Sequence, residues 1–324
     1  MRILFVADPI DGFKTYKDST YAMMVAAAAR GHQLLFCELP ALWLGDGHAW
    51  ADCATLTLQG PALGQDGHDP HGWWRLGEVR TERLSAFDAV VMRKDPPFDL
   101  EYVYATYLLE HAVREGARVF NHPRAVRDHS EKYAIAEFPQ FTASTIVTRD
   151  PVRLRAFVRH HGEAVLKLLD GMGGASIFRA RHDDPNLSVI IETMNQFGAR
   201  SVMAQRYLPA IADGDKRILL VGGQVVPFAL ARIPMAGEAR GNLAAGGTGR
   251  AQPLSARDLE IAESLAPVLQ ARGLFLVGLD VIGDSLTEIN VTSPTCFREI
   301  MDQTGFDVAG LFVQGLEAAV AARG

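Results

Sequence analysis

Asp280, Glu288 and Asn290 stand among apolar residues in the stretch LFLVGLDVIGDSLTEINVTSPTCFR, residues 274–298. A carboxylate in such surroundings is costly unless it is paired or bound to a metal. Mg2+ suits these donors, since it takes carboxylate and amide oxygens and completes its shell with water and substrate phosphates. Glu288 and Asn290 are two residues apart, so on a strand they share a face. A three-residue turn at 283–285 brings Asp280 opposite Glu288, whereas a two-residue turn puts it on the other face. The metal reading therefore depends on the turn, and a hairpin with solvated acids at its ends remains open from this stretch alone.

Cationic groups gather elsewhere in the chain. Lys167 lies in AVLKLLD, where an ammonium calls for an anionic partner. The next segment, DGMGGAS at 170–176, contains Gly171, Met172, Gly173 and Gly174, and its glycines let backbone N–H groups approach a phosphate. It precedes a strand and lacks the spacing of a dinucleotide fingerprint, and the chain has no Gly-Lys pair for a Walker A loop. Taken singly, this loop also reads as a hairpin turn and Lys132 as a solvated helix residue. IPMAGEARGNLAAGGTGR, residues 233–250, has five glycines and no periodicity, which predicts a functional lid carrying Arg240, Asn242 and Arg250. DGDKR at 213–217 and Arg232 bracket the hairpin that enters it. Guanidinium forks suit carboxylate or phosphate, with surface ion pairing the alternative for either arginine alone.

Other chemistries are missing: there is no HExxH, no GxSxG elbow and no Cys/His cluster at zinc spacing. Cys37, Cys53 and Cys296 are too far apart for a disulfide framework, and a reducing cytoplasm fits them. A chain of 324 residues with 48% hydrophobic and 22% charged residues reads as a soluble protein of two or three subdomains. Its net charge of -6 gives no reason to expect nucleic acid or an anionic membrane. The opening MRILFVADP runs into a strand without the marks of a signal peptide, and no apolar run is long enough to cross a bilayer.

The elements that must position these groups begin as an α/β unit. Strands are predicted at 2–7, 33–38, 88–92 and 117–121, with helices capped by Ser19 and ended by Gly31, and at 100–114. Residues 45–80 read as strand fragments and loops. Past a polar boundary at 122–130, with a helix starting at Ser130, mostly antiparallel strands are expected at 145–148, 164–169, 176–180, 201–208, 217–221 and 224–233. Helices are expected at 151–160, 187–197, 256–272 and 308–322.

The chain resembles the bacterial glutathione synthetases of the ATP-grasp superfamily nearly end to end. The resemblance rests on DPI at 8–10, KDS at 17–19, MRKDPPFD at 92–99, YATYLLE at 104–110 and DGMGGASIFR at 170–179. It continues through YLPAIADGDKR at 207–217, ARIP at 231–234, RGNLAAGG at 240–247 and GLDVIGDSLTEINVTSPTC at 278–296. Leu168 stands where members often have proline. The resemblance implies an ATP-grasp fold, α+β in its ATP-binding part. Its parts would be an N-terminal α/β substrate domain at 1–124, a central subdomain at 125–200, and a C-terminal subdomain at 201–324 with a catalytic loop at 234–249.

By the same resemblance Lys132, Lys167, Gly171, Met172, Gly173, Gly174 and Asp215 bind ATP. Gln205, Arg206, Tyr207 and Leu208 form an edge strand beside adenine, and Asp280, Glu288 and Asn290 hold Mg2+, with Mn2+ an alternative. Arg217 and Arg232 stabilise the reacting centre, while Lys17, Arg93, Asn242, Ser293, Thr295 and Arg298 contact substrates. The implied reaction joins γ-L-glutamyl-L-cysteine to glycine with ATP, in the cytoplasm and in a homo-oligomer, a tetramer by resemblance. Alternatives are an ATP-grasp ligase for another amino acid or peptide pair, or a non-catalytic ATP-binding module.

Overall fold

The computed structural model describes residues 1–59, 72–171, 176–235 and 246–322, and its three sheets follow one another along the chain. The first layer comprises β1 (Arg2–Ala7), α1 (Ser19–Ala29), β2 (Gln33–Glu38), β3 (Leu42–Gly45), β4 (His48–Leu58), β5 (Trp74–Arg83), β6 (Ala89–Met92), α2 (Leu100–Arg114) and β7 (Val119–Phe120). Its order is β3-β4-β2-β1-β6-β7, with β5 on β4. β1 is parallel to β2 and β6, and its unbroken apolar run fits a strand buried on both faces. Asp18, and not Ser19, caps α1 by accepting from Tyr21 N at 2.7 Å. Ser19 is instead the first helical residue, and its Oγ accepts from Phe297 N at 3.2 Å. The stretch expected to be fragments holds β4 and β5, two antiparallel arms; β5 is largely exposed, so it shows no apolar alternation to read.

The second layer follows α3 (Pro123–Asp128). No α-helix starts at Ser130; 3-10 turns occupy Tyr133–Glu137 and Pro139–Phe141, with a proline heading the second. Then come β8 (Thr145–Thr148), α4 (Pro151–His161), β9 (Glu163–Leu168), β10 (Phe178–Arg181), α5 (Leu187–Asn195) and β11 (Val202–Arg206). The sheet is antiparallel, in the order β10-β9-β11-β8. Ala164, Leu166, Val202 and Ala204 pack with Leu154, Val158 and Ile191 of the two helices. Strand periodicity therefore turns Lys167, Met203 and Gln205 to the opposite face.

The third layer contains β12 (Asp215–Val221), β13 (Gln224–Ile233), β14 (Thr248–Pro253), α6 (Ala256–Ala271), β15 (Leu276–Ile282), β16 (Ser285–Asn290), α7 (Phe297–Thr304) and α8 (Val308–Ala321). The antiparallel order is β14-β13-β12-β15-β16. One face packs Ile218, Leu220, Val277 and Leu279 with Ile261 and Leu265 of α6. Leu219, Val221, Leu230 and Leu276 on the other join Phe297, Phe312 and residues of the first layer. α7 and β14 were not expected from sequence, and β14 takes the last residues of the presumed lid into the sheet. No helix among the described residues is long and apolar enough to cross a membrane.

Candidate active site

The third-layer face that is apolar at Leu219, Leu230 and Leu276 becomes charged at its other end. Two-residue periodicity carries it to Arg217 and Asp215 on β12, Arg232 on β13 and Asp280 on β15. Register sets Arg217 opposite Asp280 and Asp215 opposite Arg232. Arg217 grips Asp280 with Nε on Oδ1 at 2.5 Å and Nη2 on Oδ2 at 3.1 Å. Arg232 Nη2 lies 2.8 Å from Asp280 Oδ2 and 2.5 Å from Asp215 Oδ2. Gly278 makes the room, because a Cβ there would stand 2.8 Å from Arg217 Cδ.

Arg217, Arg232 and Asp280 are almost fully buried and Asp215 is half-buried, so their charges are set largely by one another. Burial pushes the Asp280 carboxyl up, but the two guanidiniums outweigh it and hold it below the usual carboxylate range. Asp215 is pushed up to about 6, by burial first and also by Asp280, against the pull of Arg232. That direction is consistent with its short ion pair, because Arg232 is shared and Asp280 has two cationic partners. Asp215 Oδ1 is buried without a hydrogen-bond partner.

The 280–290 hairpin departs from expectation in its turn yet keeps the expected facing. Ile282 pairs with Ser285, which leaves a two-residue turn of Gly283 and Asp284. Val281 then pairs with Leu286 and Asp280 with Glu288, so Thr287 is an extra, bulged residue. A two-residue turn alone would flip the face, and the one-residue bulge flips it back. Thr287 Oγ1 donates to Asp280 O at 3.1 Å across the bulge.

Both lysines reach this hairpin. Lys132 is buried, not solvated, and donates from Nζ to Glu288 Oε1 at 2.8 Å and to Gly171 O. Burial lowers its pKa, but Glu288 outweighs that and the net direction is upward. Lys167 Nζ donates to neutral oxygens, Thr287 O at 3.1 Å and Gln205 Oε1 at 3.4 Å, in place of the anionic partner expected. Burial depresses its pKa, with Glu288 opposing. The ammonium is thus held in a nearly dry site where a phosphate oxygen would gain from it.

A cation fits the hairpin only in part. No group of three or more His, Cys, Asp or Glu side chains that could hold a metal occurs among the described residues. Two carboxylates and an amide still match a magnesium site completed by phosphate oxygens. Asn290 Nδ2 donates to Gly278 O at 3.1 Å, which commits the amide nitrogen to the protein.

Other expected site residues are distributed around this centre. β11 lies between β9 and β8, so the edge strand expected at 205–208 is an interior strand. Arg206 N donates to Ser144 O at 2.9 Å and Tyr207 N to Glu163 O at 3.3 Å; Tyr207 and Leu208 lie beyond the strand end. Arg179 lies over the Tyr207 ring at 3.9 Å. Met172, Gly173, Gly174, Arg240 and Asn242 fall outside the described residues, as does most of the expected lid.

Arg93 is buried where the first and third layers meet. Its Nε donates to Thr20 Oγ1 and its Nη2 to Pro294 O, each at 3.0 Å, while Nη1 has no partner. A spare N–H on a buried guanidinium suits a carboxylate. Ser293 and Thr295 flank Pro294, Arg298 Nη2 is 3.6 Å from Asp302, and half-buried Lys17 has Nζ 5.7 Å from the Tyr16 ring. Sequence reasoning missed Glu131, whose carboxylate receives three hydrogen bonds from residues 291–292. An acid beside a lysine in a polar stretch gave no signal of that role.

Residues 1–127 match the family model for the prokaryotic glutathione synthetase N-terminal domain, and residues 131–305 that for its ATP-grasp domain. The glutathione synthetase of Ralstonia nicotianae is 61% identical over 319 residues, covering 98% of this chain and 96% of the relative. That of Nitrosomonas europaea is 56% identical over 321 residues and 99% of each chain. Among solved structures, D-cycloserine synthetase DcsG has a TM-score of 0.66 at 16% identity, over 99% of this chain and 100% of that one. The ATP-grasp ligase PsnB, complexed with minimal precursor, Mg and ADP, has a TM-score of 0.63 at 16% identity, over 99% and 98%. Those two likenesses concern the fold alone, whereas the family matches and full-length relatives carry the assignment: the chain belongs to the prokaryotic glutathione synthetases, ATP-dependent ligases of the ATP-grasp fold.

Proposed function

We propose that this chain joins γ-L-glutamyl-L-cysteine to glycine through an acyl phosphate, with the charged end of the third sheet as its reacting centre. The observation that carries this reading is the buried row of Arg217, Arg232 and Asp280 beside Lys132, Lys167 and Glu288. Phosphoryl transfer needs positioning and charge neutralisation more than a protein nucleophile, and this row supplies fixed charge in a nearly dry site.

A cysteinyl carboxylate oxygen attacks the γ-phosphorus of ATP, and ADP leaves. The glycine amine then attacks the acyl carbon, and phosphate departs with that carboxylate oxygen as the amine gives up a proton. Lys132 and Lys167 hold phosphate oxygens, Arg217 and Arg232 face the charge that develops between donor and phosphate, and Arg93 takes a substrate carboxylate. Lys17, Ser293, Thr295 and Arg298 supply further substrate contacts. Gly171, Gln205, Arg206, Tyr207, Leu208 and Asp215 line the nucleotide side. Asp280, Glu288 and Asn290 would hold Mg2+, or Mn2+ by the same oxygen chemistry, and the cation would neutralise charge on the phosphates. We assign the substrate domain to 1–124, the central subdomain to 125–200 and the C-terminal subdomain to 201–324, in a cytoplasmic homotetramer whose mass light scattering would measure.

Phosphate release from ATP with γ-glutamylcysteine, with and without glycine, tests the reading. Glycine should raise steady phosphate release and yield one glutathione per phosphate; release that ignores glycine, or proceeds without glutathione, would contradict it.

A further inference from the structure

Glu131 takes no part in the chemistry above, yet it joins the two halves of the nucleotide site. Its Oε1 accepts from Val291 N at 2.8 Å, Thr292 N at 3.0 Å and Thr292 Oγ1 at 2.9 Å. Its backbone carbonyl accepts from Ile289 N at 2.9 Å. The next residue, Lys132, donates to Glu288 Oε1 at 2.8 Å. One dipeptide therefore holds residues 288, 289, 291 and 292. The residue skipped is Asn290, whose neighbours on both sides have their N–H groups bound to Glu131.

We infer that Glu131 is a positioning residue for the ligation, setting the spacing between the Lys132 ammonium and the Glu288 and Asn290 oxygens. The inference rests on the reading that Lys132 meets a nucleotide phosphate and that Glu288 and Asn290 meet its cation. Bonds to a carboxylate are stronger than neutral ones, so three on one oxygen fix the strand end firmly. A site whose donors are held in place before binding loses less freedom on binding, and looseness of even an ångström is costly to catalysis. Glu131 itself touches neither phosphate nor cation in this account.

The test compares Glu131→Ala, Glu131→Gln, Lys132→Met and Asn290→Ala in the full chain. Readouts are the unfolding midpoint without ligand, the dissociation constant of ADP with Mg2+ by calorimetry, and KM for each substrate. Glu131→Ala should weaken ADP with Mg2+ by about tenfold or more and raise KM for ATP, with KM for γ-glutamylcysteine changed by less than about twofold. Glu131→Gln keeps an oxygen for the Val291 and Thr292 N–H groups and should recover most of the affinity. Loss of unfolding midpoint with unchanged ADP affinity would make Glu131 merely structural and overturn the inference. If Lys132→Met and Asn290→Ala weaken ADP while Glu131→Ala does not, positioning fails and the site reading stands; if none of the three weakens it, the site reading fails too. Should Glu131→Ala not fold, Glu131→Asp decides, because its shorter stem should lower ADP affinity and wild-type affinity there would overturn the inference.

Discussion

Asp280 anchors the proposed reacting centre at the scale of single residues, because two buried guanidiniums converge on it. Asp280→Asn leaves Arg232 with Asp215 and takes from Arg217 the carboxylate it grips, and should cost about 3–5 kcal/mol of stability in denaturant unfolding. Lys167, proposed to hold a phosphate oxygen, should matter to binding more than to folding, since its bonds go to neutral oxygens. Lys167→Ala should weaken ATP binding or turnover by about 1.5–3 kcal/mol, roughly 10- to 100-fold, in steady-state assays of a folded variant. Near-normal ATP kinetics would remove it from the site. His129 gives the pH prediction: burial, then Arg272, push its pKa from 6.5 down to about 4. The unfolded chain therefore binds this proton first as pH falls, and stability present above pH 6.5 is lost toward pH 4. The loss reaches about 3 kcal/mol. Unfolding curves of the protein and of His129→Asn should converge across that window, and a constant difference would refute the assignment.

Among the elements, the hairpin of β15 and β16 shows what sequence could reveal and what it could not. The apolar run with three oxygen ligands was legible, as was the face shared by Glu288 and Asn290. The turn was not, because GDS accommodates either loop length, and the compensating bulge at Thr287 has no mark in residue type. Deleting Thr287 removes the bulge yet leaves Asp280 opposite Glu288 in a continuous register, so the shared face should survive while the carbonyl that holds Lys167 Nζ is lost, lowering ligation by about tenfold in the coupled phosphate assay. Unchanged activity would show that the bulge does not set the site. Gly283 has φ +57° and a Cβ there would lie 2.9 Å from Ala210 Cβ, so Gly283→Ala should cost roughly 1–2 kcal/mol in denaturant unfolding. β1, β13 and α2 were readable from apolar runs, periodicity and caps, whereas β5 escaped because water faces most of it. The pairing of Arg217 and Arg232 with Asp280 is a matter of register between strands distant in sequence, which no local pattern encodes.

Over the whole molecule, the first and third layers behave as one body because they share both large apolar clusters. Asn121 ties them with buried hydrogen bonds: Nδ2 donates to Leu276 O at 2.8 Å and Val291 O at 2.7 Å, and Oδ1 accepts from Leu276 N at 2.7 Å. This arrangement brings Arg93 of the first layer to Pro294, just past the β15–β16 hairpin, and so places a candidate donor-peptide contact next to the row proposed to handle phosphate. The account's central claim is that the row activates the donor carboxylate as an acyl phosphate. The most direct test uses γ-glutamylcysteine labelled with 18O in its cysteinyl carboxylate, with mass analysis of the phosphate released during glutathione formation. The account predicts one 18O atom transferred from a fully labelled carboxylate to each phosphate; unlabelled phosphate accompanying glutathione would contradict it.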